Sequence, residues 1–230
     1  DARKDPETAR NVFQFSVKYA AFLVIPATAI VMVLAKPGIG VLFPEYSHAP
    51  LFLALLAITY LFTAAGNLSL GNFINSQGHT RFNLLLALLT SAIGFPLSVV
   101  LIAKFGIIGL IATSLTAGIP SLIIALIWLR KRYNVTVDWV SSAKILLSAT
   151  GAAAATYVVV AYLNFSNWVS LIVGVVIFVF TYSLMVLLTR AIDKADINNM
   201  RGMLGGLGQL RRPIYFALAI IEKLMKLFRL

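Results

Sequence analysis

The sequence predicts an all-α, polytopic membrane protein with six transmembrane helices and a C-terminal amphipathic helix at the membrane interface. Of its 230 residues, 60% are hydrophobic and 12% are charged, and the mean hydropathy is +0.92. A soluble domain carries about 25% charged residues, so this chain has too few polar side chains to cover a surface that faces water. Apolar runs long enough to cross the hydrocarbon core recur along it, and the alternating polarity of a membrane-barrel strand is absent.

Six apolar runs predict the spans. In chain order they are Phe13–Ala35, Ala49–Gly71, Phe82–Ala103, Phe105–Leu129, Ile145–Leu163 and Trp168–Thr189. Lys104 is the sole charge between Phe82 and Leu129, a stretch too long for one span. We expect a hairpin turn at Lys104 and Gly106, because glycine adopts positive φ without strain and lysine reaches the headgroups with its ammonium in water.

The basic residues are divided very unequally between the two sides of the membrane. Seventeen of the nineteen Lys and Arg residues fall in the N-terminal segment and the first turns of the first span, in the second and fourth loops, or in the tail. The other two are Lys36 and Lys104. The positive-inside rule therefore places both termini in the cytoplasm. The net charge of +11 then indicates topology and contact with anionic membrane lipids, and not nucleic-acid binding.

Three prolines, Pro26, Pro96 and Pro120, lie well inside predicted spans. Each removes a backbone hydrogen bond and tends to kink its helix. Two interpretations remain open at these positions. The kink is a fixed structural feature, or it belongs to a moving part beside a cavity, where broken membrane helices are tolerated.

The second span is the polar one. Its polar and small residues recur at steps of three and four, which would place them on one face of an α-helix: Tyr60, Thr63, Asn67, Gly71 and Asn75, with Asn72 beside them. An unpaired amide in hydrocarbon costs several kcal/mol, so Asn67 must face protein or water. Hydrogen bonding between helices and a water-filled cleft that contacts a polar ligand both remain possible.

The predicted spans lack the acidic and metal-binding residues that an enzyme acting within the membrane would need. No Asp or Glu lies inside a predicted span, and Glu45 is the one acidic residue expected on the outer side of the membrane. His48 and His79 fall on opposite faces, so they cannot share a metal ion. The chain has no cysteine and no recognised phosphate-binding loop. We therefore predict no catalytic residues, no metal, no cofactor and no enzymatic activity.

Three stretches carry a resemblance to a known family. They are "GNFINSQGHTRFN" at 71–83, "AKFGIIGLIATSL" at 103–115 and "WLRKRYNVTVDW" at 128–139. In this order they resemble the C-terminal part of polysaccharide-biosynthesis flippases, in the multidrug/oligosaccharidyl-lipid/polysaccharide exporter superfamily. The upstream stretch at 18–50 looks like the preceding family segment, in which Pro26 breaks a span and Lys36-Pro37 closes it.

The resemblance implies a function and a domain plan. Such proteins carry lipid-linked saccharides across the cell membrane by alternating access between two helix bundles. The resemblance therefore implies three partners: the lipid-linked saccharide substrate, the missing N-terminal half of the transporter and the membrane lipids. The chain would then comprise a cytoplasmic N-terminal segment (1–12), a four-helix part of the second bundle (13–129), a basic cytoplasmic loop (130–144), an additional helix pair (145–189) and a cytoplasmic tail (190–230).

The resemblance also implies an anionic substrate, whose phosphate groups require cations. No predicted span carries a central Arg or Lys. The cations are therefore expected in the missing half, or they are Lys18 and Arg81 at the inner mouth. Together with Tyr60, Thr63, Asn67, Asn72 and Asn75, these two residues complete the predicted substrate path.

Two other functions stay open. A cation-coupled multidrug exporter of the same superfamily is one, although ion coupling often uses an intramembrane carboxylate and this chain has none in its spans. A membrane scaffold without transport activity is the other; the polar residues of the second span and the three prolines argue against it.

The tail sequence "RRPIYFALAIIEKLMKLFRL" predicts an amphipathic helix. Its apolar residues fall on one face at steps of three and four: Ile214, Leu218, Ile221, Met225 and Phe228. Four charged residues collect beside that face and would be costly at the membrane centre: Glu222, Lys223, Lys226 and Arg229. We expect the helix to lie in the cytoplasmic interface on anionic headgroups; a partner-binding helix is the alternative.

Overall fold

A computed structural model describes residues 6–46, 48–163 and 166–192, together with 196 and 199. These residues are helical and contain no strand: α1 Pro6–Val33, α2 Ala35–Leu42, α3 Ala49–Ala57, a 3-10 helix Ile58–Ala65, α4 Asn67–Ser76, α5 Thr80–Phe105, α6 Ile107–Thr116, α7 Ile119–Tyr133, α8 Trp139–Leu163 and α9 Asn167–Thr189. The amphipathic helix predicted in the tail, from Pro213 onward, lies outside the described residues.

The predicted all-α membrane class is confirmed. Within the described ranges, five helical segments are long and apolar enough to cross a membrane: Glu7–Val33, Thr80–Phe105, Ile107–Tyr133, Trp139–Tyr162 and Asn167–Thr189. A sixth span is obtained when Ala49–Ala65 and Asn67–Ser76 are taken together, although the two pieces meet at an angle of 48°. Each span overlaps one of the six apolar runs of the sequence.

The predicted hairpin turn is present at Gly106. α5 ends at Phe105, and Gly106 takes φ +57° and ψ −131° before α6 begins at Ile107. This conformation is open to glycine and strained for residues that carry a Cβ. Lys104 is exposed in the last turn of α5, and its contact with the headgroups stays a prediction.

The prolines behave differently from one another. Pro26 lies inside α1, which continues without interruption to Val33, so the expectation that Pro26 breaks its span is wrong. Membrane helices tolerate proline because neighbouring groups and small local adjustments satisfy the freed carbonyl. α5 likewise continues through Pro96. Pro120 falls in the first turn of α7, a favourable position, after α6 has ended at Thr116; kinks at Pro26 and Pro96 stay predictions.

The chain divides into two compact units, Asp1–Trp139 and Val140–Leu230. The core of the first unit is an apolar cluster that includes Phe13, Val17, Phe73, Ile74 and Leu129. The boundary falls within the predicted basic loop, which is shorter than expected because α7 runs to Tyr133 and α8 begins at Trp139. The basic side chains at 130–132 occupy the last turn of α7, where they complement the helix dipole.

The second unit is built on the contact between α8 and α9. A Cβ added at Gly151 of α8 would lie 3.2 Å from the Cε of Met185 on α9, and neighbouring Ala152 is fully buried. The hydroxyls of Ser148 and Thr189 are 3.1 Å apart and form a hydrogen bond. Small residues therefore let these two helices approach closely, as is common in membranes.

Candidate functional site

The second span is broken in the middle of its polar residues. α3 passes into the 3-10 helix at Ile58, and this helix ends at Gly66 with φ +84°. A 3-10 helix has 3.0 residues per turn, so residues spaced for an α-helix lose their common face. The prediction that Tyr60, Thr63, Asn67, Gly71 and Asn75 line one face is therefore wrong for this conformation.

The predicted residues separate into three environments. Tyr60 lies on an apolar groove between α1 and α3, whereas Thr63 is buried at 1% exposure. Asn67 and Gly71 line a different cavity, which also receives residues of α5 and α7. Asn72 and Asn75 are exposed on α4.

We call the second cavity the polar cleft, and it has a volume of about 320 Å³. It is lined by Asn67, Leu70, Gly71, Ile74, Asn83, Leu86, Ala87, Thr90, Gly118, Ser121, Leu122 and Ala125. Amide and hydroxyl groups supply its polar part, and none of these twelve side chains is ionisable. The polar cleft is therefore suited to bind uncharged hydrogen-bonding groups.

Hydrogen bonds fix most of the polar side chains of the cleft. The Nδ2 of Asn83 donates to the Oδ1 of Asn75 over 3.2 Å, which joins α5 to α4. The Oγ1 of Thr90 donates to the Oγ of Ser121 over 2.7 Å, and Ser121 donates to the carbonyl of Leu86 over 3.0 Å. These bonds fix the polar side chains where α5 meets α4 and where α5 meets α7.

Asn67 is the exception among the polar side chains of the cleft, and Asn72, elsewhere on α4, resembles it. Both amides are exposed, and neither side chain forms a hydrogen bond with any residue in the part of the chain that the structure describes. An amide in hydrocarbon without a partner costs several kcal/mol. α4 therefore places both amides in contact with water, with a bound molecule or with another protein segment, and not with lipid tails.

An aromatic cluster holds the start of α5 against the end of α7. The rings of Phe82 and Trp128 stack with centroids 4.5 Å apart, and the rings of His79 and Trp128 form a T-shaped pair with centroids 5.1 Å apart. The Nε2 of His79 lies 2.9 Å from the hydroxyl of Tyr133. Tyr133 in turn contacts Phe73 of α4, with centroids 6.0 Å apart. The cluster thereby connects the three helices that form the polar cleft.

The two predicted cations do not reach the cleft. Lys18 is half-buried on α1, and Arg81 is exposed in the first turn of α5. Neither residue lines the polar cleft. The placement of both at an inner mouth of the transporter stays a prediction.

The apolar groove is larger than the polar cleft, with a volume of about 450 Å³. Its walls come from Leu23 to Val31 of α1 and from Leu53 to Tyr60. The hydroxyl of Thr28 donates to the carbonyl of Val24, which leaves Tyr60 as the polar residue at its edge. The groove therefore offers an almost wholly apolar surface.

Sequence reasoning missed three polar residues of the cleft: Asn83, Thr90 and Ser121. A signal was present for two of them, because Asn83 and Thr90 stand seven residues apart in one predicted helix and must share a face. Ser121 follows Pro120, and no spacing connects it to α5. Its role becomes visible when α5 and α7 are packed together.

Comparisons of the chain with protein-family models, with curated proteins and with solved structures find no match. Among the residues that the structure describes, no group of three or more His, Cys, Asp or Glu side chains is arranged to hold a metal ion.

Proposed function

We propose that this chain is the C-terminal part of a transporter that carries lipid-linked oligosaccharide or polysaccharide precursors across the cell membrane by alternating access. The observation that carries the proposal is the polar cleft on a broken transmembrane span, with the exposed, unpartnered amide of Asn67 in its lining and that of Asn72 elsewhere on the same helix. A protein that needed this span as an anchor alone would have no use for amides that are costly in lipid.

The resemblance and the site coincide in the same stretch of chain. "GNFINSQGHTRFN" runs from Gly71 to Asn83, and it forms the second half of α4, the turn that follows and the start of α5. It supplies Gly71 and Asn83 to the polar cleft and His79 to the aromatic cluster. The segment typical of the flippases therefore forms one wall of the cavity.

The chemistry of the cleft suits the sugar portion of such a substrate. Amide and hydroxyl groups donate and accept hydrogen bonds, as sugar hydroxyls require, and they impose no charge preference. The phosphate portion requires cations, which we place in the other helix bundle that the resemblance implies, or at Lys18 and Arg81.

The orientation forms part of the proposal. Both termini and the loop after α7 face the cytoplasm, since seventeen of the nineteen basic residues then lie on the inner side, in accord with the positive-inside rule. Transport then proceeds from the cytoplasmic leaflet to the outer leaflet of the cell membrane.

Asn67→Leu in the full-length protein tests the proposal. Leucine is compatible with a membrane helix, so we expect normal expression, loss of transport and accumulation of lipid-linked saccharide in cells. Ser98→Ala is the matched control, because the Ser98 hydroxyl bonds the carbonyl of Phe95 in its own helix and Ser98 does not line the cleft.

Three outcomes contradict the proposal. Reduced expression of Asn67→Leu with unchanged activity per molecule would make the amide a structural contact. Drug sensitivity without saccharide accumulation, on deletion of the gene, would favour a multidrug exporter. If deletion of the gene produces neither drug sensitivity nor saccharide accumulation, a membrane scaffold is favoured.

A further inference from the structure

The broken span contains a 3-10 helix of unusual length. Ile58–Ala65 has eight residues in this conformation, between the α-helices α3 and α4. Such helices seldom exceed three or four residues, and a 3-10 stretch inside a longer helix often marks a functional hinge. The span then bends by 48° at Gly66.

We propose that this span has a second conformation, in which the 3-10 helix and Gly66 become α-helical and a single helix runs from Ala49 to Ser76. Its effect is to bring together Tyr60, Thr63, Asn67, Gly71 and Asn75 on one polar face. The observed bent conformation and this straight conformation are the two states of the hinge.

The spacing of the polar residues is the first support. Steps of three, four, four and four define one face of a helix with 3.6 residues per turn. In the bent state this spacing has no consequence, because Tyr60 lies on the apolar groove and Asn67 on the polar cleft. The straight state gives the pattern a structural role.

Thr59 is the second support. Its Oγ1 is buried and has no hydrogen-bond partner within the described ranges. In α-helical parts of the chain the hydroxyls of Thr28, Thr113 and Thr156 each donate to the carbonyl four residues earlier. In the straight state, Thr59 reaches the carbonyl of Leu55 in the same way. The bent state therefore leaves a polar group unsatisfied that the straight state satisfies.

Gly66 is the third support, because glycine adopts positive and negative φ about equally well. In the bent state its φ is +84°, and a Cβ added there would lie 3.0 Å from the Cγ2 of Val17 and 3.3 Å from the Cζ of Phe13. The bent state is also held by a hydrogen bond of 2.9 Å between the hydroxyls of Ser16 on α1 and Ser69 on α4.

The change between the two states is large. A 3-10 helix turns about 120° and rises about 2.0 Å per residue, against about 100° and 1.5 Å for an α-helix. Over the eight residues, the conversion rotates α4 by about 160° and shortens the segment by about 4 Å. The contact between Ser16 and Ser69 cannot survive such a movement, so it reports the bent state.

A disulfide between Ser16→Cys and Ser69→Cys measures the population of that state. The chain has no cysteine of its own, and oxidant-driven crosslinking in membranes can be followed by gel mobility. Gly66→Ala disfavours the bent state, because alanine is strained at positive φ, and we expect it to slow crosslinking about fivefold. Gly78→Ala is the matched control: its φ is +82° and an added Cβ meets nothing within 4 Å, so its rate should equal that of the parent.

A second cysteine pair, Thr90→Cys with Ser121→Cys, reports whether the fold is intact, since these hydroxyls are 2.7 Å apart in helices outside the hinge. If this pair crosslinks normally in Gly66→Ala and the first pair is also unaffected, the proposal is overturned.

If Gly66→Ala abolishes both crosslinks, Thr59→Val decides. It removes the unsatisfied hydroxyl from the bent state, so crosslinking of Ser16→Cys with Ser69→Cys must become faster, and an unchanged or slower rate overturns the proposal. Because no readout involves transport, the hinge and the flippase function can fail separately.

Discussion

Two glycines of the hairpin formed by α5 and α6 have different tasks. Gly106 provides a backbone conformation with φ +57°, which the sequence predicted because a long apolar stretch needed a turn. Gly109 lets the two helices approach each other: an added Cβ would overlap the carbonyl group of Leu101 on α5. The sequence did not reveal this second role, since the approach of the two backbones depends on how the hairpin closes.

Gly109→Ala should therefore destabilise the protein. The added methyl group meets backbone atoms, which cannot rotate away, so we expect a loss of about 1–3 kcal/mol in the free energy of unfolding, the usual cost of overpacking. A lower midpoint of thermal unfolding in detergent would show it. Gly118→Ala is the control, because a Cβ there meets nothing within 4 Å; equal midpoints for the two variants would contradict the prediction.

At the scale of helices, the positions of the spans could be predicted and the break in the second span could not. Apolar runs of the right length gave the spans to within a few residues at most ends. Within Ala49–Gly71 the polar residues fit an α-helix, so periodicity alone predicted a continuous face. Contacts from α1 decide otherwise, since Phe13 and Val17 pack against Gly66, and a sequence pattern does not show which neighbouring helix supplies such contacts.

The aromatic cluster gives a prediction at this scale. Trp128 stacks on Phe82 and contacts His79 and Tyr133, and aromatic pairs contribute about 0.5–1.5 kcal/mol beyond the area they bury. Trp128→Leu should therefore lower the midpoint of thermal unfolding in detergent.

Trp168→Leu is the matched control for this change. Trp168 is 66% exposed at the start of α9, so its replacement removes little packing within the protein. A drop in the midpoint as large for Trp168→Leu as for Trp128→Leu would show that the cluster does not hold α5 against α7.

At the scale of the whole molecule, the distribution of charge carries information that the helices themselves do not. The structure gives spans without a membrane, whereas the basic residues assign each end of a span to one side. Lys104 ends α5 and the basic residues at 130–132 end α7, with one span, Ile107–Tyr133, between them. Sequence and structure together therefore define a testable topology.

Lys104→Cys and Lys131→Cys should be labelled from opposite sides of the membrane. Both lysines are exposed, and the chain contains no other cysteine that would react. In intact cells an impermeant maleimide should label Lys104→Cys, whereas Lys131→Cys should react after the membrane is permeabilised, because the positive-inside rule keeps the basic end of α7 in the cytoplasm. Labelling of both from one side would contradict the span between them. Labelling of Lys131→Cys alone in intact cells would leave the span in place and reverse its orientation, and the direction of transport proposed above would be wrong.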